Sequence, residues 1–188
     1  MQSIILASQS PRRKQLLEWA EVSFEVIIQN TDESFDASIS AAQIPINIAM
    51  AKALAVKEAT QTTSIILAAD TVVVLNNTII NKPKDRNDAI QMLTALAGKM
   101  HHVITGVVLL SSSKTISFSE TTEVEFYPLS QAQIEFYVDE YKPYDKAGAY
   151  AIQEWIGVVG IKKITGDFYN VMGLPVSRVV QELQNFAD

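Results

Sequence analysis

The chain has 188 residues, of which 48% are hydrophobic, and its 21 acidic and 15 basic side chains give a net charge of −6. These values predict a single globular domain, 1–188, and exclude a disordered or fibrous protein as well as broad nucleic-acid binding, which needs a basic surface. There is no cysteine, no signal-peptide pattern and no apolar run of about 18 residues, which excludes disulfides, thiolate metal sites and a membrane span and favours the cytoplasm.

The first predicted helix begins with an unusual cluster of cationic residues. A short apolar strand at 4–7 runs into a helix in which Ser10 is the expected N-cap and Pro11 the first helical residue. The next three residues, 12–14, are all cationic, although the helix dipole already makes this end positive. They form either a solvated basic turn or an anion site. Two arginines, open backbone N–H groups and a Ser hydroxyl before the cap suit a phosphate chain.

The remaining elements alternate between strands and helices. A hairpin is predicted around 111–114, so we expect an α/β fold with a mixed, twisted β-sheet flanked by helices. Strands are predicted at 24–28, 65–75, 78–80, 103–110, 115–126 and 158–164, and helices at 46–59, 85–96 and 130–137 and after Pro175.

Asp70 is the most informative single residue. It lies between two apolar runs of the predicted strand 65–75, where a carboxylate must be paired, hydrogen-bonded or metal-bound. A satisfied structural Asp is the alternative to a functional one, and we favour function. Glu33 offers a second carboxylate in an acidic loop, where Asp32 and Asp36 compete for the same role.

The other charged candidates are less distinctive. Lys52 and Lys57 lie among apolar neighbours of one predicted helix, so periodicity does not say which of them faces a site. Lys82 ends a predicted strand, where a charge that discourages edge aggregation is the simpler interpretation. The adjacent histidines 101–102 point to opposite strand faces, so no histidine metal centre is expected. Together the arginines, lysines and carboxylates are typical of a phosphate site that holds Mg²⁺ or Mn²⁺.

An ordered set of short stretches resembles the Maf family of nucleoside triphosphate pyrophosphatases, from residue 4 to residue 183. These stretches are 7–13, the loop around Glu33, 49–53, 69–73, 81–83, 98–99 with 103–106, 145–153 and 166–175. The resemblance implies an inosine triphosphatase-like (Maf/Ham1) fold with a cleft between two lobes.

The resemblance also implies a reaction. A nucleoside triphosphate would be cleaved between its α and β phosphates, with a divalent cation, Mg²⁺, Mn²⁺ or Co²⁺, as the cofactor. Thr71 and Gln153 stand where the dTTP/UTP branch of the family has the same residue types. The implied substrates are therefore dTTP and UTP, or modified pyrimidine nucleotides, in a house-cleaning role, and the family commonly forms homodimers.

Each candidate residue acquires an implied role from the family. Asp70 would accept a proton from the attacking water, and Glu33 would join it in metal binding or water activation. The other implied residues are Lys52 and Lys82 for charge balance at the phosphoryl centre, Ser8, Arg12 and Arg13 for the phosphates, and Arg12, Thr71 and Gln153 for base specificity.

The chain departs from the family pattern after Gln153. The family usually has Gly at the next position, whereas this chain has Glu154 and Trp155, so we expect a remodelled loop at the base pocket. Two alternative functions follow from the resemblance: a nucleotide-binding regulator of septum formation, and a pyrophosphatase for methylated GTP. The joint presence of Asp70, Glu33 and the lysines disfavours a regulator without turnover.

Overall fold

The computed structural model describes residues 3–34 and 39–186, which form a seven-stranded sheet flanked by helices. The strands are β1 (Ile4–Leu6), β2 (Phe24–Val26), β3 (Ile66–Leu75), β4 (Thr78–Ile80), β5 (Met100–Leu110), β6 (Thr115–Phe126) and β7 (Ile161–Thr165). Their order is β2-β1-β3-β5-β6-β7, and β4 pairs with β3. β1 runs parallel to its neighbours β2 and β3. β4 runs antiparallel to β3, and β7 runs antiparallel to β6. The predicted mixed sheet is confirmed.

Two helices, α3 (Arg86–Leu96) and α4 (Gln131–Tyr141), begin where a local side chain satisfies one of the first N–H groups. At the start of α3 the Asp85 side chain accepts from the Asp88 amide, and Ser130 and Gln133 form a capping box at the start of α4. The helices are α1 (Pro11–Trp19), α2 (Gln43–Thr60), α3 (Arg86–Leu96), α4 (Gln131–Tyr141), α5 (Trp155–Gly160), α6 (Phe168–Met172) and α7 (Val176–Phe186), with a 3₁₀ turn at Ala147–Ala149. Among the described residues, no helix has the length and apolar character needed to cross a bilayer.

The chain divides into two compact units. The first comprises Met1–Thr71, Thr105–Glu120 and Gly173–Asp188, and the second comprises Val72–Ile104 and Thr121–Met172. Three of the four borders fall inside β3, β5 and β6, and the fourth falls at the end of α6. The single domain 1–188 stays a prediction.

The core of the first unit holds α2 close to the sheet. Ala49 and Ala53 are fully buried on α2, and such small side chains permit a short distance between helix and strands. Gly106 in β5 permits contact at the helix start, because a Cβ there would lie 2.3 Å from the Ile46 backbone nitrogen. This close packing fixes α2 against the strands. The cluster contains Ile5, Ala7, Ala49, Ala53, Val56, Ile66, Ala68, Val108 and Leu110.

The strand predicted at 158–164 is confirmed at 161–164, but its predicted start is wrong. Residues 158–160 belong to α5, and β7 begins only at Ile161. Val158 is 80% exposed, so the apolar run does not mark a buried strand, and a short apolar run cannot separate helix from strand by periodicity alone. The amides of Gly157 and Val158 both donate to the Glu154 carbonyl, which starts the helix. The sequence also does not predict α6.

A buried histidine lies in the core of the second unit. His101 is fully buried, its Nε2 lies 2.7 Å from the Tyr150 hydroxyl, and its ring packs against Phe126. Burial, followed by the neighbouring charge of His102, lowers the pKa of His101 from 6.5 to about 4. Burial also raises the pKa of Tyr150 above its ordinary value. His101 is therefore a neutral core residue.

This burial predicts a loss of stability in mild acid. The unfolded chain binds a proton on His101 below pH 6.5, whereas the folded chain does so only near pH 4. The free energy of unfolding should therefore fall as the pH drops through this window, by about 3 kcal/mol from this group. Urea unfolding across the window measures the loss. His101→Gln should remove this part of the pH dependence, and His102→Gln should keep most of it, because burial of His101 is the larger cause of the lowered pKa. Equal slopes for both variants contradict the prediction.

Candidate active site

Lys52 joins the two predicted carboxylates. Its Nζ donates to Asp70 Oδ1 at 2.8 Å and lies 2.7 Å from Glu33 Oε1. The side chains of Asp70 and Lys52 are 15% and 16% exposed, and that of Glu33 is 47% exposed. Asp70 comes from the middle of β3 and Lys52 from α2, whose close packing on the sheet brings them together. The structure thus assembles three of the four predicted catalytic residues.

The contacts also separate the two lysines of α2. Lys57 donates from Nζ to the Ser111 carbonyl oxygen at 2.6 Å and so supports the hairpin loop. Lys52 alone of the two contacts Asp70. Lys57 therefore has a structural contact, and Lys52 belongs to the candidate site.

Contacts also distinguish the acidic residues of the loop around Glu33. Both carboxylate oxygens of Asp32 accept from Ser34, from its amide at 2.8 Å and its hydroxyl at 2.7 Å. These hydrogen bonds lower the pKa of Asp32 and commit it to a local turn. Asp36 lies outside the described residues. Glu33 is thus the described acidic side chain of this loop that contacts Lys52.

The carboxylate pair Glu33 and Asp70 is the described group that fits a divalent cation with further ligands from a substrate. Among residues 3–34 and 39–186 no group of three or more His, Cys, Asp or Glu side chains could hold a metal ion. Mg²⁺ commonly binds one or two carboxylates and takes its other ligands from water and substrate phosphates. Glu33 and Asp70 fit that arrangement, because two carboxylates share a single ammonium group.

Arg13 is a buried junction between distant segments. Its guanidinium donates four hydrogen bonds, to the Gly173 carbonyl at 2.7 Å, the Ala69 carbonyl at 2.8 Å, the Thr71 hydroxyl at 2.9 Å and the Ser8 hydroxyl at 3.1 Å. Burial lowers the pKa of Arg13, and the charge of Asp70 partly offsets this. Arg13 therefore ties α1 to the loop after β1, to β3 on both sides of Asp70 and to the segment before α7.

The start of α1 agrees only in part with the sequence prediction. Ser10 and Pro11 occupy the N-cap and first helical positions, but the Ser10 side chain makes no capping hydrogen bond. Instead the Ser8 hydroxyl accepts from the Ser10 amide at 3.3 Å and from Arg13. Arg12 is half-buried. Phosphate binding by Ser8, Arg12 and Arg13 stays a prediction.

Thr71 extends the Arg13 junction to β5. Its hydroxyl accepts from Arg13 and lies 2.9 Å from the Thr105 hydroxyl and 3.4 Å from the Gly173 carbonyl oxygen. Thr105 is fully buried. The sequence did not single out Thr105 or Gly173, although a Thr within the apolar run 103–110 is a weak signal of the same kind as Asp70.

Lys82 and Gln153 belong to the second unit. Lys82 follows β4 and Gln153 lies in the turn before α5, and both are exposed. Their predicted roles at the phosphates and the base rest on the family resemblance, and both roles stay predictions.

The site combines two carboxylates joined by a lysine with a buried arginine, on a mixed α/β sheet. These features are typical of the class of proteins that act on phosphate groups. The chain belongs to the Maf-like protein family, whose sequence model matches residues 3–186. The resemblance found in the sequence is confirmed.

Several relatives are similar in sequence to nearly all of the chain. The dTTP/UTP pyrophosphatase of Cytophaga hutchinsonii is 51% identical over 96% of this chain and 83% of its own length. The dTTP/UTP pyrophosphatase of Parabacteroides distasonis is 46% identical, with 97% of this chain and 95% of its own length covered. Among solved structures, the Staphylococcus aureus Ham1 protein matches with a TM-score of 0.44 and 16% identity, covering 66% of this chain and 72% of that one.

Proposed function

We propose that the chain hydrolyses dTTP and UTP to the nucleoside monophosphate and pyrophosphate, with a house-cleaning role in the nucleotide pool. The names of relatives at 51% and 46% identity support this substrate pair. The observation that carries the chemistry is the ion pair of Lys52 with both Asp70 and Glu33, because hydrolysis needs a base and a charge balance at one phosphoryl group.

Asp70 is the proton acceptor in this proposal. Lys52 engages its Oδ1, and its Oδ2 is the proposed acceptor for the water molecule. Water attacks the α-phosphorus, the bond to the oxygen of the leaving pyrophosphate breaks, and Asp70 takes the water's proton. Lys52 keeps the carboxylate oriented before attack.

A divalent cation, Mg²⁺, Mn²⁺ or Co²⁺, completes the proposed site. Glu33 and Asp70 would hold it together with oxygens of the substrate, and the bound cation supplies polarisation of the phosphoryl group. Ser8, Arg12, Arg13 and Lys82 are the proposed phosphate and charge-balancing residues. Removal of the cation with EDTA should abolish turnover, and added Mg²⁺ or Mn²⁺ should restore it.

Base recognition is proposed for Gln153, with Arg12 and Thr71. An amide offers a donor and an acceptor, which suit the N–H and carbonyl edge of a pyrimidine. Gln153 is exposed and thus accessible to a ligand. The Thr71 hydroxyl is engaged with Arg13 and Thr105, so its proposed contribution includes support of Arg13.

A panel of nucleotides tests the function. Release of pyrophosphate is measured with dTTP, UTP, CTP, dITP and methylated GTP in the presence of Mg²⁺ or Mn²⁺. We expect dTTP and UTP to be hydrolysed fastest, with the monophosphate and pyrophosphate as products. Faster turnover of methylated GTP contradicts the proposed substrate, and nucleotide binding without turnover favours the regulator of septum formation instead.

A cytoplasmic homodimer is the proposed form of the enzyme. It is supported by the family resemblance and by the composition of the chain. Light scattering of the purified protein gives the mass that tests the dimer, and a monomeric mass contradicts it.

A further inference from the structure

The turn that carries Gln153 is held rigidly at its base. The Glu154 amide donates to the Ala151 carbonyl at 3.1 Å, which closes a β-turn over 151–154. Ile152 is buried, and a Cβ on Gly157 would lie only 1.7 Å from the Ile152 carbonyl oxygen, so α5 packs directly on the turn. Gln153 is the exposed residue of this turn.

A single phenol holds both ends of the turn. Tyr137 of α4 is fully buried, and its hydroxyl accepts from the Ala151 amide at 3.1 Å. The same hydroxyl donates to Glu154 Oε2 in a short hydrogen bond. A hydrogen bond to a carboxylate is stronger than one between neutral groups. Through its side chain, Glu154 therefore attaches the turn to α4 directly after Gln153.

Two further contacts support this anchor. Lys146, whose side chain is 10% exposed, places its Nζ 3.6 Å from Glu154 Oε1 and 2.7 Å from Asp145 Oδ1. The Trp155 ring meets the Phe136 ring edge to face, with centroids 4.9 Å apart. Successive residues of α4 thus hold the two residues at which the chain departs from the family pattern. In this chain the loop is attached to α4 at these two residues.

We propose that Glu154 is a positioning residue for base recognition, acting by fixing the turn that presents Gln153. This inference rests on the proposed function. An exposed Gln has a flexible side chain, so discrimination of a base edge by its amide requires a backbone that is already fixed. The anchor acts on binding of the base and not on the phosphoryl step. Its loss should therefore raise KM and leave kcat nearly unchanged.

Steady-state kinetics with dTTP and UTP test the inference. Glu154→Ala is expected to raise KM about tenfold and to change kcat by less than about twofold. Glu154→Gln keeps an oxygen that accepts from Tyr137, so it should restore KM to within about threefold of wild type. The matched control is Asp139→Asn, which removes the ion pair of α4 with Arg86 without touching the turn, and should leave both constants unchanged.

A double variant separates positioning from general support. In a Gln153→Ala background, Glu154→Ala should cause no further rise in KM, because the residue it positions is gone. Tyr137→Phe, which removes the shared hydroxyl, provides a second route to the same rise if Glu154→Ala does not fold. Equal effects of Glu154→Ala with and without Gln153 overturn the inference, and so does a KM unchanged by Glu154→Ala.

The two proposals fail in different ways. Wild-type turnover of dTTP and UTP with an unchanged KM in Glu154→Ala contradicts the anchor alone. A wild-type protein that hydrolyses neither nucleotide contradicts the proposed function and the inference with it.

Discussion

Asp70→Asn is expected to lower kcat for dTTP and UTP hydrolysis by a factor on the order of 10²–10⁴. The amide cannot accept a proton from water, but it can still accept the hydrogen bond from Lys52 that Asp70 Oδ1 receives at 2.8 Å. The fold should therefore remain intact, and melting temperature should confirm this. Pyrophosphate release under saturating nucleotide measures the loss.

Asp32→Asn is the matched control for Asp70→Asn. Asp32 lies next to Glu33 in sequence, but its oxygens are bound to Ser34 in a local turn. Its replacement should change kcat by less than about twofold. If Asp70→Asn keeps more than about a tenth of the wild-type kcat, Asp70 is not the proton acceptor.

Arg13→Met is expected to reduce the free energy of unfolding by about 3–5 kcal/mol. The change removes four hydrogen bonds and leaves the Gly173 and Ala69 carbonyls and the Ser8 and Thr71 hydroxyls without their donor. Urea unfolding at neutral pH measures the change. Arg13→Lys should also destabilise the protein, because an ammonium group cannot reproduce the planar guanidinium geometry.

The neighbouring arginine provides the comparison for Arg13→Met. Arg12 is half-buried, so Arg12→Met should lower the free energy of unfolding by less than about 1 kcal/mol. Under the proposed function it should instead raise KM. Equal destabilisation by the two substitutions contradicts a special structural role of Arg13.

The sequence predicts the strand β3 and its unusual residue Asp70 well, because a carboxylate between two apolar runs is visible locally. A carboxylate inside an apolar strand needs a partner, and the structure supplies Lys52 for Asp70. The Ser10–Pro11 helix start and the Ser130–Gln133 capping box also depend on neighbouring residues, and both positions are confirmed. Such features are readable because their causes lie within a few residues.

Features that depend on residues far apart in the chain could not be predicted from the sequence. Arg12 and Arg13 are equivalent by pattern, and only tertiary packing decides that Arg13 is the buried one. The choice of Lys52 over Lys57 depends on where the loop at Ser111 lies. The start of the strand predicted at 158–164 is wrong for a related reason, because the β-branched residues Val158 and Val159 are exposed on a helix.

The hydrogen bond from Arg13 to Gly173 joins residues 160 positions apart, and this span affects how the protein is made. During synthesis α1 and β3 leave the ribosome long before Gly173 does, because translation proceeds from the N-terminus. Until that carbonyl arrives, the guanidinium lacks one of its four acceptors. A nascent chain that ends before Gly173 therefore holds the Arg13 guanidinium by only three of its four hydrogen bonds, so the junction beside Asp70 is finished only when the last part of the chain has been made.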